Sequence, residues 1–182
     1  MLVLGIDPGT LHMGWGIVRG AGTRVTHVAH GTISPGPHLA LADRLVVIER
    51  ELQSVLELHQ PDVSSCESIF FSRDATAAAK LGHARGVALL VCARRGLQIF
   101  EYPPARVKKT VAGRGAAGKA QIAAMVRAIL RLDHAPGADA ADALAVALTH
   151  LSISPSLALA RASVAKHPRI PAPYKPLRRR HP

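Results

Sequence analysis

A chain of 182 residues with 48% apolar side chains can bury one good core, so a single domain with room for a tail is expected. A formal net charge of +11 and a pI near 10.8 predict attraction to polyanions; nucleic acid ranks above an anionic membrane, because no basic amphipathic helix with a bulky apolar face is evident. The longest apolar run, residues 87–93, is far too short to cross a bilayer, and the chain opens on a strand instead of a signal peptide, so a cytoplasmic protein with no membrane partner is expected.

The first third predicts a three-strand antiparallel meander: residues 2–7, then 14–18, a Gly20-Ala21-Gly22 turn, and 24–33. Leu41, Leu45, Ile48, Leu52, Val55 and Leu56 recur at helical spacing and predict a helix over 39–59, which Gln60-Pro61-Asp62 breaks before a short strand ending at Glu67. A long helix over 74–95 follows, then a strand over 97–102, where Pro103-Pro104 opens another helix by taking its first positions. Two further helices fall at 119–131 and 139–151. Strands in succession followed by helices alternating with strands imply an α/β fold, a mixed sheet with helices on both faces. The helix over 74–95 is rich in small residues, and Gly82 and Gly86 each cost it about 1 kcal/mol relative to alanine, so that face suits either the sheet or a second subunit. Cys66 and Cys92 sit in apolar segments and predict buried free thiols, with neither a disulfide nor a zinc site.

Four acids stand apart from the rest. The chain has only 12, and while Asp43, Glu49, Glu51 and Glu57 fall on a polar helix face, Asp7, Glu67, Asp139 and Asp142 sit at the ends of apolar elements. Asp7 closes Leu2-Val3-Leu4-Gly5-Ile6 and opens the Pro8-Gly9-Thr10 turn, Glu67 follows Val63-Ser64-Ser65-Cys66, and Asp139 and Asp142 are three apart on one helix face. Singly each has a plainer role, as turn former, strand-end charge, N-cap or dipole partner. Converged, they form a cage of hard oxygen donors that a divalent cation such as Mg²⁺ or Mn²⁺ makes tolerable, and a pair of such metals hydrolyses phosphodiesters. Residues 153–182 change character: Lys166, Arg169, Lys175, Arg178, Arg179 and Arg180 lie among prolines with no acid at all. This basic, Pro-rich tail is expected to be disordered alone, either a phosphate-binding arm or a solvated end, after a nuclease domain at 1–152.

Five segments carry a likeness that covers about residues 1–152: Gly5-Ile6-Asp7-Pro8-Gly9-Thr10, Cys66-Glu67-Ser68-Ile69-Phe70, Lys80-Leu81-Gly82-His83-Ala84-Arg85-Gly86, Glu101-Tyr102-Pro103-Pro104-Ala105-Arg106-Val107-Lys108, and Ala138-Asp139-Ala140-Ala141-Asp142-Ala143-Leu144-Ala145. In order and spacing they closely resemble the RuvC family of bacterial Holliday junction resolvases. The resemblance implies a ribonuclease H-like fold, a homodimer, and Mg²⁺-dependent symmetric incision of two like-polarity strands at a four-way DNA junction in recombination and repair. It makes Asp7, Glu67, Asp139 and Asp142 the metal-binding and catalytic set, with two Mg²⁺ per site and Mn²⁺ able to take its place. Lys119 matches a lysine needed for cleavage, Lys108 one that contacts DNA, and Phe70 an aromatic that stacks on an exposed base; Arg114, in the same glycine-rich turn as Lys119, is assigned to the DNA, Phe71 to the core, and Lys109 to the surface. A RuvA–RuvB branch-migration complex is the implied partner. Gly118, where a helix-favouring residue is expected, and the long basic tail depart from the family pattern. The acids alone do not separate a junction from an RNA hybrid as substrate, and charge plus tail also suit a non-catalytic junction-binding protein, which would leave four clustered acids unexplained.

Overall fold

The computed structural model describes residues 1–68 and 75–160. In chain order the elements are β1 (Leu2–Asp7), β2 (Met13–Ala21), β3 (Arg24–Ile33), α1 (Leu41–His59), β4 (Val63–Glu67), α2 (Ala75–Arg94), β5 (Gln98–Tyr102), α3 (Pro104–Ala112), α4 (Lys119–Leu130) and α5 (Ala138–Ala160). The five strands form one sheet in the order β3-β2-β1-β4-β5, antiparallel across β3, β2 and β1 and parallel across β1, β4 and β5. Hairpins suffice for the antiparallel half, whereas each parallel step needs a crossover, supplied by α1 before β4 and α2 before β5.

Alternation along the strands sends side chains to two cores. Leu2, Leu4, Ile6 and Cys66 pack with Ile48 and Leu52 of α1 and with Ala84, Ala88 and Val91 of α2. Val3, Val18, Val63 and Tyr102 pack on the opposite face with Val107 and Val111 of α3, Ile122 and Val126 of α4, and the alanine-rich centre of α5. Burying both faces explains why β1 is apolar almost throughout. Both thiols are free and buried, and burial pushes each up to about 11, which keeps them as inert core groups.

Two glycines set the depth of α5. A Cβ on Gly5 would lie 2.0 Å from the Ala143 carbonyl oxygen, and one on Gly14 would lie 1.9 Å from that of Asp139. No side chain fits there, so α5 rests directly on the backbones of β1 and β2. At the other end of the helix core, His150 is fully buried, and its Nδ1 hydrogen-bonds the Tyr102 hydroxyl at 2.8 Å, tying α5 to β5.

The meander, the helices and the Pro103-Pro104 opening agree with expectation; Pro103 caps α3 and Pro104 is its first residue. Two elements run longer than expected. The β2 strand extends to Ala21, so the hairpin turn is Gly22-Thr23, with Gly22 at φ 59°. The α5 helix continues beyond residue 151 through Pro155 to Ala160, because one proline removes a single backbone donor without ending a helix that the core already holds.

Candidate active site

Register brings the first two acids together. Ile6 pairs with Cys66 on adjacent parallel strands, so the next residues, Asp7 and Glu67, leave the sheet side by side at its carboxyl end. Asp7 in turn pairs with Gly14, the glycine under the Asp139 carbonyl, so the first turn of α5 sits beside Asp7. Asp139 and Asp142, three apart on that helix, complete the group. Asp7, Glu67 and Asp142 line one cavity of about 240 Å³, whose other walls are Pro104, Val107 and Lys108 of α3 and Lys119 and Ile122 of α4.

The field in this cavity is strongly negative. Burial, reinforced by Asp142, Glu67 and Asp139, pushes the Asp7 carboxyl from 3.8 up to about 7 against the pull of Lys119. Glu67 is raised too, by burial and then by Asp142, with Lys108 and Lys119 opposing. Burial also raises Asp142, which Lys119 offsets most, its Nζ standing 3.7 Å from Asp142 Oδ2. Among the described residues, no three His, Cys, Asp or Glu side chains stand as a closed metal cage. Asp7, Glu67 and Asp142 share a cavity, Asp139 outside its lining adds to the field on Asp7 and Asp142, and like charges do not close on one another unaided. The donor set nonetheless fits a hard cation: carboxylate oxygens with no thiol or imidazole lining the cavity, and a carboxyl whose charge is disfavoured until a positive partner arrives.

A stability prediction follows from Asp7. Between pH 3.8 and about 7 the folded carboxyl holds a proton that the unfolded chain has released, so stability is full below that window and falls as pH rises through it. A rise of that size corresponds to a loss on the order of 4 kcal/mol. Without divalent ions, Asp7→Asn should therefore melt several degrees above the unmodified protein at pH 8 and level with it near pH 4. Thermal melts at the two pH values check this; an equal offset at both would refute it.

The remaining site residues are distributed as follows. Lys108, the lysine matched to a DNA contact, is half-buried and lines the acid cavity, while Lys109 is exposed. Lys119 opens α4 with its side chain 81% exposed. Arg114 is exposed and donates to Gln121 Oε1 at 3.3 Å, away from the cavity lining. Gly118, the residue before α4, has an extended backbone that any residue adopts. Phe70 and Phe71 lie outside the described residues. Sequence reasoning missed Arg85 and Leu81, which line an adjoining cavity of about 210 Å³ with Asp7, Pro8, Glu67, Ser68 and Pro104. The available signal was an arginine in the middle of α2, amid its small residues.

A family model described as Crossover junction endodeoxyribonuclease RuvC matches residues 3–150. The crossover junction endodeoxyribonuclease RuvC of Sorangium cellulosum is 55% identical over 175 residues, spanning 96% of this chain and 98% of its own length. That of Myxococcus xanthus is 49% identical over 154 residues, 84% of this chain and 81% of the relative. Among solved structures, T. thermophilus RuvC in complex with Holliday junction substrate superposes with a TM-score of 0.77 at 37% identity, covering 82% of this chain and 92% of that one. A fowlpox virus Holliday junction resolvase, 13% identical with a TM-score of 0.52, shares the fold alone. The chain belongs to the RuvC family of crossover junction endodeoxyribonucleases, and its mixed five-strand sheet flanked by helices is the ribonuclease H-like fold of such resolvases.

Proposed function

We propose that this chain resolves Holliday junctions, cutting two DNA strands of like polarity at symmetric positions and leaving 5′-phosphate and 3′-hydroxyl ends that a ligase can rejoin. The observation that carries the mechanism is the shared cavity in which Asp7, Glu67 and Asp142 meet Lys108 and Lys119. Asp7, Glu67, Asp139 and Asp142 would hold two divalent cations, Mg²⁺ with Mn²⁺ as its substitute; when bound these lower the pKa of an attacking water and offset charge on the departing 3′ oxygen. Lys119 reaches from the exposed start of α4 toward the reacting phosphate, where a cation offsets charge that develops in the transition state. Lys108 draws the scissile strand across the acids, which would otherwise repel it. Phe70 and Arg114 complete the DNA contacts, the first by stacking on a base at the crossover. Single-turnover cleavage of a labelled four-way junction, a matching duplex and an RNA–DNA hybrid, with Mg²⁺ and with EDTA, tests this function. Junction cut in Mg²⁺ alone, with duplex and hybrid spared, is expected; preferential cutting of the hybrid would contradict it.

A homodimer supplies the two incisions. Gly82 and Gly86 face open space, while Ala84 and Ala88 of the same helix face the core, so the fold of one chain leaves this small-residue side of α2 unused. Leu90, one further turn along, is 49% exposed. A second copy packed there puts two sites on one junction. Gly86→Leu should fill the gap and convert paired incision into uncoordinated nicking or inactivity, with the folded monomer intact. Sedimentation of the variant beside a strand-by-strand cleavage assay checks this, and a variant that dimerises and cuts like the unmodified chain would argue against it.

Residues 161–182, which keep every basic side chain of the tail named above, extend the phosphate-binding surface as a sequence-indifferent arm. No helix among the described residues is long and apolar enough to cross a membrane. Acting on chromosomal junctions, the chain would work in the cytoplasm, where a RuvA–RuvB branch-migration complex would present the substrate.

A further inference from the structure

Arg85 sits in the middle of α2 with its side chain only 15% exposed, and its Nη2 donates to Glu101 Oε2 at 2.6 Å. The same guanidinium stands beside the buried Cys66 thiol, whose rise through burial it opposes, and Cys66 and Glu101 are register partners on β4 and β5. One cation thus ties α2 to two neighbouring strands, one residue before each strand ends at Glu67 and Tyr102. Arg85 also shares a cavity wall with Asp7, Glu67 and Ser68. Its Nε is buried and meets no acceptor among the described residues. A permanent charge with an unsatisfied donor is an expensive way to fill a helix position whose neighbour Ala84 packs against the sheet with a methyl group alone. Packing therefore does not explain the arginine.

We infer that Arg85 is a positioning residue for strand cleavage: held between Glu101 and Cys66, it fixes the ends of β4 and β5 and so sets where Glu67 stands in the site. This rests on the resolvase function proposed above. Arg85 does not reach the phosphate itself, because its guanidinium is committed to Glu101 and Cys66 and is packed on the α2 side of the sheet. Lysine substitutes only in part, since a point charge can meet Glu101 but cannot fork to both partners.

The test uses the full chain and the variants Arg85→Met, Arg85→Lys, Glu101→Gln and the Arg85→Met/Glu101→Gln double. Three quantities are measured: single-turnover cleavage of a four-way junction, junction binding without divalent ions, and the Mg²⁺ concentration that gives half the ion-induced shift in melting temperature. Arg85→Met and Glu101→Gln should each slow cleavage at least about ten-fold, the scale expected when a reacting group is displaced by a fraction of an ångström. Both should raise the half-saturating Mg²⁺ concentration and leave junction binding within about two-fold. The double should be no worse than the poorer single, because both remove one interaction, and Arg85→Lys should fall between. Full cleavage rate and unaltered Mg²⁺ response in a folded Arg85→Met would overturn the inference, as would a lowered melting temperature with an unchanged rate. Weakened junction binding as the main defect would mark a substrate contact and overturn it equally. Should Arg85→Met fail to fold, Glu101→Gln decides, since Glu101 is half-exposed and tolerates the change. A failure of the unmodified chain to cut junctions would instead sink the resolvase function and be recognised separately.

Discussion

Asp7→Asn should bind a four-way junction at least as tightly as the unmodified chain and leave it uncut. Asp7 is the acid on which burial and all three other carboxylates act, and its raised carboxyl reports the cost of gathering negative charge at one point. Asparagine keeps the shape and one carbonyl oxygen while removing the charge that a divalent cation needs, so cleavage should fall by at least about three orders of magnitude. Binding moves the other way, because the change removes one charge that repels phosphate. Single-turnover cleavage and a binding titration on the same labelled junction, both at pH 8, measure the two effects. Cleavage near the unmodified rate would remove Asp7 from the chemistry, and cleavage lost together with binding would make it a structural residue.

Gly14→Val should lower cleavage about a hundred-fold without touching a charged group. Even a single Cβ at position 14 would sit 1.9 Å from the Asp139 carbonyl oxygen, and that oxygen belongs to backbone that cannot swing aside. Valine therefore has to lift the first turn of α5 away from β2, carrying Asp139 and Asp142 away from Asp7 and Glu67. A displacement near 1 Å is enough to lower cleavage about a hundred-fold, and the lifted helix also loses packing, so the melting temperature should drop. Gly137→Ala is the control, since nothing lies within 4 Å of a Cβ at that position. A Gly14→Val protein that folds, cleaves normally and melts like its parent would show that the depth of α5 does not set the geometry of the acids.

These two substitutions also mark what the sequence does and does not disclose. Asp7, Glu67, Asp139 and Asp142 stand out in one dimension because acids at the ends of apolar elements break the usual polar-face pattern, and the periodicity of α1 and the Pro103-Pro104 opening are local signals of the same kind. The pairing of Ile6 with Cys66, which sets Asp7 beside Glu67, is a long-range hydrogen-bond register and leaves no local trace. The close seating of α5 on Gly5 and Gly14 is hidden for the same reason: glycine at either position looks like a weak strand residue until the helix above it is known. Gly82 and Gly86 suit the sheet or a second subunit equally well in sequence, and only the fold shows that they face outward while Ala84 and Ala88 take the sheet. Lys108 is easily underestimated in sequence because a lysine on a helix is by default a surface residue. It joins the acids because α3 starts directly after β5, the strand next to Glu67.

The most direct measurement is of the products. A four-way junction labelled on each strand in turn, cut by the unmodified chain in Mg²⁺ and then treated with DNA ligase, should give two incisions at symmetric positions on strands of like polarity and nicked duplexes that seal. Incision of one strand only, ends that ligase cannot seal, or cleavage undiminished in EDTA would contradict a paired, metal-dependent resolution at the acids gathered around Asp7.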